Sequence, residues 1–194
     1  MPTEDVRKFF DHAAAEWDAG LVINKETIRQ ILDAAGVKKD SVVLDVACGT
    51  GVLFPYYLER KARHITGVDL SPEMIRIAHS KFSDPHLELI CGDIESLPVI
   101  KPCDCCVVYN AFPHFENPQR LIQCLAQWIK PGGRIAIAHG MGLEALKKHH
   151  AGRAEHVSRE MLTVSELSDL LVPWFQVTLA ISDDKKYIVA GNRR

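Results

Sequence analysis

The sequence predicts an α/β fold, a mostly parallel sheet with helices on both faces that ends in an antiparallel β-hairpin. Two patterns carry this expectation. From Val42 onward, apolar runs near 42–47, 64–69, 86–91, 104–110 and 133–139 alternate with stretches of helical periodicity, the signature of successive βαβ units. The last two apolar runs, 177–181 and 187–190, are separated only by residues 182–186, which is hairpin spacing and too short for a crossover helix. A chain of 194 residues suffices for one well-buried core, so a single domain spanning 1–194 is expected.

The first run carries Asp45 and passes directly into Ala47-Cys48-Gly49-Thr50-Gly51. A buried strand that turns sharply into a helix needs such glycines, whose missing Cβ atoms also let a ligand approach the backbone. The second run ends in Gly67-Val68-Asp69-Leu70-Ser71, placing a carboxylate at a neighbouring strand end, where it can meet a ribose diol. Ser71 can cap a helix that Pro72 begins, since proline lacks only an N–H that the first turn does not use. Met74, Ile75 and Ala78 then form one buried stripe.

The third run leads into Cys91-Gly92-Asp93-Ile94, and the fourth into Tyr109-Asn110-Ala111-Phe112-Pro113-His114-Phe115. Both lie at the carboxyl edge of the sheet, where open α/β folds bind ligands. Ahead of the hairpin, Thr163-Val164-Ser165-Glu166 matches a capping box opening a helix with Leu167, Leu170 and Leu171. The glycine bend also separates nucleotide classes. A pyrophosphate-binding turn needs a third small residue, whereas Val52-Leu53-Phe54-Pro55 supplies bulk, so a dinucleotide is disfavoured.

The bend, Gly67-Val68-Asp69-Leu70-Ser71 and Cys91-Gly92-Asp93-Ile94 together resemble the motifs of class I S-adenosylmethionine-dependent methyltransferases of the small-molecule, quinone-type kind. The resemblance covers most of residues 6–139 and, by topology, the hairpin. It implies a Rossmann-like seven-stranded sheet, S-adenosylmethionine as cofactor, and direct in-line transfer of its sulfonium methyl to a small molecule. It further implies Asp45, Ala47, Gly49 and Gly51 around the methionyl group, Asp69 and Leu70 at the ribose, Asp93 and Ile94 at the adenine, and Asn110 facing cofactor and acceptor. The stretch Phe9-Phe10-Asp11-His12-Ala13-Ala14-Ala15-Glu16-Trp17-Asp18 resembles the cofactor-covering segment of such enzymes, here about 1–34. Residues 140–162 stand where they often carry a substrate-covering insert.

A sulfonium methyl is already electrophilic, so few side chains are obligatory beyond those that hold an acceptor in line and exclude water. His114 and His139 are the catalytic candidates, as general bases or as groups that orient the acceptor. A structural histidine under the following helix is the competing reading of His114. His149, His150 and His156, with Arg153 and Arg159, make the insert dense in groups that suit an anionic acceptor, or simply a solvated flap. Cys103, Cys105 and Cys106 invite a thiol or metalloid chemistry. Their spacing argues for burial, because zinc pairs its cysteines at two or more intervening residues and adjacent strand residues point to opposite faces. No metal site is expected. A catalytically silent cofactor-binding module is the rival from another functional class.

The net charge of −2, with scattered basic residues, gives no electrostatic footprint for nucleic acid or an anionic membrane. No apolar stretch approaches the roughly 20 residues that span a bilayer, and the amino terminus lacks a signal-peptide pattern. Six cysteines in apolar contexts suit free thiols in a reducing compartment. The expected setting is therefore cytoplasmic, with a small-molecule substrate as partner and a homodimer left open.

Overall fold

The computed structural model describes residues 3–150 and 155–194. Seven strands form one sheet: β1 (Val42–Val46), β2 (His64–Asp69), β3 (Leu87–Cys91), β4 (Cys103–Tyr109), β5 (Ile129–His139), β6 (Phe175–Ser182) and β7 (Tyr187–Arg193). Their order is β3-β2-β1-β4-β5-β7-β6. The first five are parallel, and β7 pairs antiparallel with both β5 and β6. This is the Rossmann-like sheet with a terminal hairpin that the sequence implies. Strand order reverses between β1 and β4, so their carboxyl ends diverge and leave a crevice.

Every residue of β1 is buried, as expected for a central parallel strand covered on both faces. Its side chains alternate between two cores. Val42, Leu44 and Val46 join Cys106, Val108, Ile135 and Ile137 on one face, which α5 (Pro118–Trp128) and α7 (Val164–Leu171) cover through Leu121, Leu125, Leu167 and Leu171. Val43 joins Ile65, Val107 and Ala136 on the other, under α2 (Lys25–Ala34), α3 (Phe54–Glu59) and α4 (Pro72–Lys81) through Ile28, Ile31, Phe54, Ile75 and Ala78.

The helix starts obey the local chemistry. Ser71 caps α4 by accepting from Met74 N at 3.1 Å, with Pro72 in the first turn and Met74, Ile75 and Ala78 buried. Thr163 and Glu166 form the reciprocal capping box of α7; Leu167 and Leu171 are buried, while Leu170 is half-buried. Each such cap is worth about 1 kcal/mol. The fifth strand begins earlier than the apolar pattern suggests, because Ile129 pairs with Cys103 before the chain bulges and pairing resumes at Arg134.

An amino-terminal strap lies outside the sheet-and-helix layers. It consists of α1 (Thr3–Ala13) and a 3₁₀ segment, Ala14–Gly20, and it packs against α4. After β5, α6 (Leu143–His150) and a 3₁₀ turn, Glu155–Val157, belong to the 140–162 stretch. Among the described residues, no helix is long and apolar enough to cross a membrane.

Gly51 shows why the bend is glycine-rich. Its φ is +88°, and a Cβ there would meet the rings of Phe54 and Phe82. Gly51→Ala should therefore combine left-handed strain with overpacking and lower stability by about 2–4 kcal/mol, read as a reduced urea midpoint with an unchanged slope.

Candidate active site

An open-mouthed cavity sits over the carboxyl ends of the central strands. Its floor is the glycine bend, Ala47 to Thr50, with Asp69 and Leu70 from the end of β2 and Gly92 to Glu95 following β3. Tyr109, Asn110, Ala111, His114 and Phe115 follow β4 along one wall. The strap supplies the roof through Thr3, Val6, Phe10 and Trp17.

The bend is locally strained. Ala47, Gly49, Gly51 and, across the crevice, Asn110 all have φ between +54° and +88°. Glycine takes this conformation freely and asparagine tolerates it, whereas Ala47 pays of order 1 kcal/mol or more. The strain is held in place by Asp69. Its Oδ2 accepts from Gly49 N at 2.8 Å and its Oδ1 from Ser71 N at 2.9 Å, so one carboxylate ties the bend to the start of α4. Only 8% of Asp69 is exposed. Burial pushes its pKa up to about 6, against the lowering effect of the two backbone donors.

Asp45 is different. It is buried and absent from the cavity lining, and its Oδ2 has no hydrogen-bond partner among the described residues. Burial drives its carboxyl well above the ordinary range, Asp69 raises it further, and the nearby Tyr57 hydroxyl opposes both. The charge on Asp69 and the burial of Asp45 thus act in the same direction, both disfavouring an ionised Asp45.

Of the residues that the sequence nominates, Ala47, Gly49, Asp69, Leu70, Asp93, Ile94, Asn110 and His114 converge on the cavity. Asp45 and Gly51 lie behind the bend rather than on its surface. Asp93 lines the cavity while also holding a turn, accepting from Glu95 N at 3.0 Å and Ser96 Oγ at 3.2 Å. Asn110 Oδ1 accepts from Gly140 N at 2.9 Å and so braces the ends of β4 and β5. His139 does not reach the cavity: it is 1% exposed and stacks edge-on against Tyr187 at 6.0 Å. A β5 residue facing the hairpin cannot also face the crevice.

His114 Nδ1 lies 2.9 Å from the Val157 carbonyl and 3.1 Å from Ser158 Oγ. A carbonyl only accepts, so Nδ1 carries the proton and Nε2 is the basic nitrogen of the neutral ring. Phe10 packs edge-on against this ring at 4.9 Å.

The basic cluster expected in the insert does not form a described anion site. Arg159 stacks over Phe112 at 4.8 Å and donates to the Phe115 carbonyl at 3.2 Å. His156 packs on Phe9 at 5.6 Å. The side chains of His149 and His150, and Arg153, lie outside the described residues. Cys103, Cys105 and Cys106 are buried in the two cores, where burial raises all three thiols. No metal-binding cluster occurs among the described residues.

Local patterning does not single out Thr3, Val6 and Glu116 as lining residues, and it marks the segments holding Asp11, Asp18 and Thr50 without their pairings. Their contacts join segments dozens of positions apart, as in Asp18 with Thr50 and Ser71 with Asp11, which local patterning does not encode.

Residues 44–137 match the family model described as a methyltransferase domain. A protein named as an uncharacterized methyltransferase from Alkaliphilus oremlandii is 30% identical over 166 residues, covering 81% of this chain and 71% of its own. The chain belongs to the class I S-adenosylmethionine-dependent methyltransferases. The malonyl-[acyl-carrier protein] O-methyltransferase of Priestia megaterium is 29% identical over 134 residues, 67% of this chain and 49% of that one. The chain thus spans about half the length of several curated methyltransferases that it matches. In fold, a chain from the complex between the Haloferax volcanii Trm112 methyltransferase activator and a methyltransferase superposes with a TM-score of 0.82 at 21% identity, over 97% of both chains.

For a methyltransferase of this geometry the two buried aspartates should separate cleanly. Asp69→Asn removes the ionised acceptor and should weaken adenosylhomocysteine binding roughly ten- to hundredfold. Asp45→Asn changes a side chain that does not line the cavity and should alter affinity by less than about threefold. Since a pKa near 6 means that Asp69 takes up a proton as pH falls, affinity should drop below pH 6 by up to roughly tenfold per unit, a dependence that calorimetry would show and Asp69→Asn would abolish.

Proposed function

We propose that the chain is an S-adenosylmethionine-dependent methyltransferase acting on a small-molecule acceptor by direct methyl transfer. The observation that carries this reading is the electrostatic lining of the cavity. Asp69, Asp93, Glu95 and Glu116 face it, and no lysine or arginine does so among the described residues. Such a lining favours a ligand bearing ammonium and sulfonium charges and disfavours a pyrophosphate.

In this reading Asp69, held open by its two backbone donors, accepts the ribose hydroxyls beside Leu70. Ala47 and Gly49 present backbone to the methionyl part, and Asp93 with Ile94 borders the adenine. Asp45 and Gly51 act from behind, shaping the bend rather than touching the ligand. The cofactor supplies an electrophilic methyl when bound. The strap, narrower than the expected 1–34 because α2 belongs to the core, excludes water above it through Phe10 and Trp17. Asn110 and Tyr109 border the space for the acceptor, with the 140–162 insert beside it. His114 is the candidate base, taking the acceptor's proton at Nε2, and the Nδ1 contact with the Val157 carbonyl supports this reading.

Calorimetry with adenosylhomocysteine tests the cofactor half, and well-folded protein that fails to bind it would overturn the reading. Production of adenosylhomocysteine from S-adenosylmethionine in a small-molecule extract tests turnover; binding without turnover would instead favour a silent binding module. With an acceptor in hand, His114→Ala should lower kcat by about 10²–10⁴ and leave cofactor affinity unchanged, and an undiminished kcat would remove His114 as base.

A further inference from the structure

The strap is fastened to the body at two points, and both belong to segments that border the cavity. At the first, Asp11 accepts from Ser71 Oγ at 2.5 Å and pairs with Arg7 at 2.7 Å. Ser71 immediately follows the loop carrying Asp69 and uses the same oxygen to cap α4. At the second, Asp18 accepts from Thr50 Oγ1 at 2.5 Å and pairs with Lys81 Nζ at 2.6 Å. Thr50 lies within the glycine bend and lines the cavity, whereas Lys81 ends α4 away from it. Burial alone would raise the Asp18 pKa, but Lys81 and Thr50 outweigh it and keep the carboxylate ionised.

Between these fastenings lies an aromatic roof. Thr3, Val6 and Phe10 recur at helical spacing on the cavity side of α1. Phe10 packs edge-on against Trp17 at 5.5 Å and against His114 at 4.9 Å, so the rings bridge the crevice from bend to far wall. The Trp17 indole nitrogen stands 3.9 Å from where a Cβ on Gly49 would lie. Trp17, the residue directly before Asp18, thus comes within van der Waals reach of the bend and lines the same cavity. The Asp18 carboxylate, though exposed, makes two short charge-assisted contacts, one to the bend and one to the end of α4.

We propose that Asp18, acting through Thr50 and Lys81, is a positioning residue for the cofactor: it clasps the strap over the occupied glycine bend, and its opening governs cofactor escape. The proposal rests on the reading of this cavity as the S-adenosylmethionine site. Because Thr50 is part of the bend, a ligand that orders the bend also orders the clasp, and the clasp in turn retains the ligand. Asp18 contacts the bend and α4 rather than the reacting atoms, so its effect should fall on dissociation and not on association.

Stopped-flow displacement of adenosylhomocysteine from the full chain tests this, using intrinsic tryptophan fluorescence. Asp18→Asn and Lys81→Met should each raise the dissociation rate about three- to tenfold, with association rates within about twofold of wild type. Lys81→Arg should restore wild-type release. The Lys81 variants alter an exposed side chain remote from the cavity, so they keep the test decisive even if Asp18→Asn perturbs folding. Unchanged release in Lys81→Met and Asp18→Asn, or a loss expressed equally in association, would overturn the clasp. If wild-type protein binds no adenosylhomocysteine, the cofactor reading itself falls, an outcome distinct from binding with unaltered release.

Discussion

One buried carboxylate organises the cavity. Asp69 holds the Gly49 amide with one oxygen and the Ser71 amide with the other, and so locks a strained bend to the first turn of α4. Without that tie, the left-handed turn at Ala47 and Gly49 would lose the bond that holds it at Gly49, while Ala47 would keep its conformational cost. The same oxygens face a space lined by further acids. The group that shapes the bend thus also contributes to the acidic lining of the cavity. Burial keeps its pKa near neutrality, which makes it responsive to whatever donors a ligand brings.

Around this tie the chain builds three layers of decreasing rigidity. The two cores under β1 and β4 are fully packed and fix where the strand ends emerge. The bend and the loops after β2, β3 and β4 rest on those ends. The strap closes from above through a few polar contacts and an edge-to-face series of rings, Trp17, Phe10 and His114. A site whose floor is locked and whose roof is fastened by side chains suits a reaction that must admit a large cofactor and then exclude water.

Much of the floor was legible in the sequence because it depends on local rules. Glycines at 49 and 51, a carboxylate ending the next strand and a Ser-Pro helix start each announce a backbone geometry from a handful of residues. The hairpin was legible from loop length, and burial of Cys103, Cys105 and Cys106 from strand context. The roof was marked only through the resemblance of residues 9–18, and its fastenings were not legible, since Asp18 finds Thr50 and Lys81 across 32 and 63 positions and no periodicity specifies such a pairing. His139 illustrates the opposite limit. Its place at the end of β5 follows from the apolar pattern, but strand alternation puts it on the face of Ile135 and Ile137, where it packs on Tyr187 instead of the cavity. Asp45 likewise sits in the motif yet stands behind the bend, because its strand position points it to the layer containing Tyr57.

The central role of Asp69 is open to direct measurement by carboxyl-selective ¹³C NMR titration with and without adenosylhomocysteine. If its carboxylate is the ligand-facing tie, its resonance should titrate near pH 6 in the free protein and move to a clearly lower pH when ribose hydroxyls donate to it. A carboxyl that titrates at its ordinary value and does not respond to the ligand would contradict the assignment of this residue as the keystone of the site.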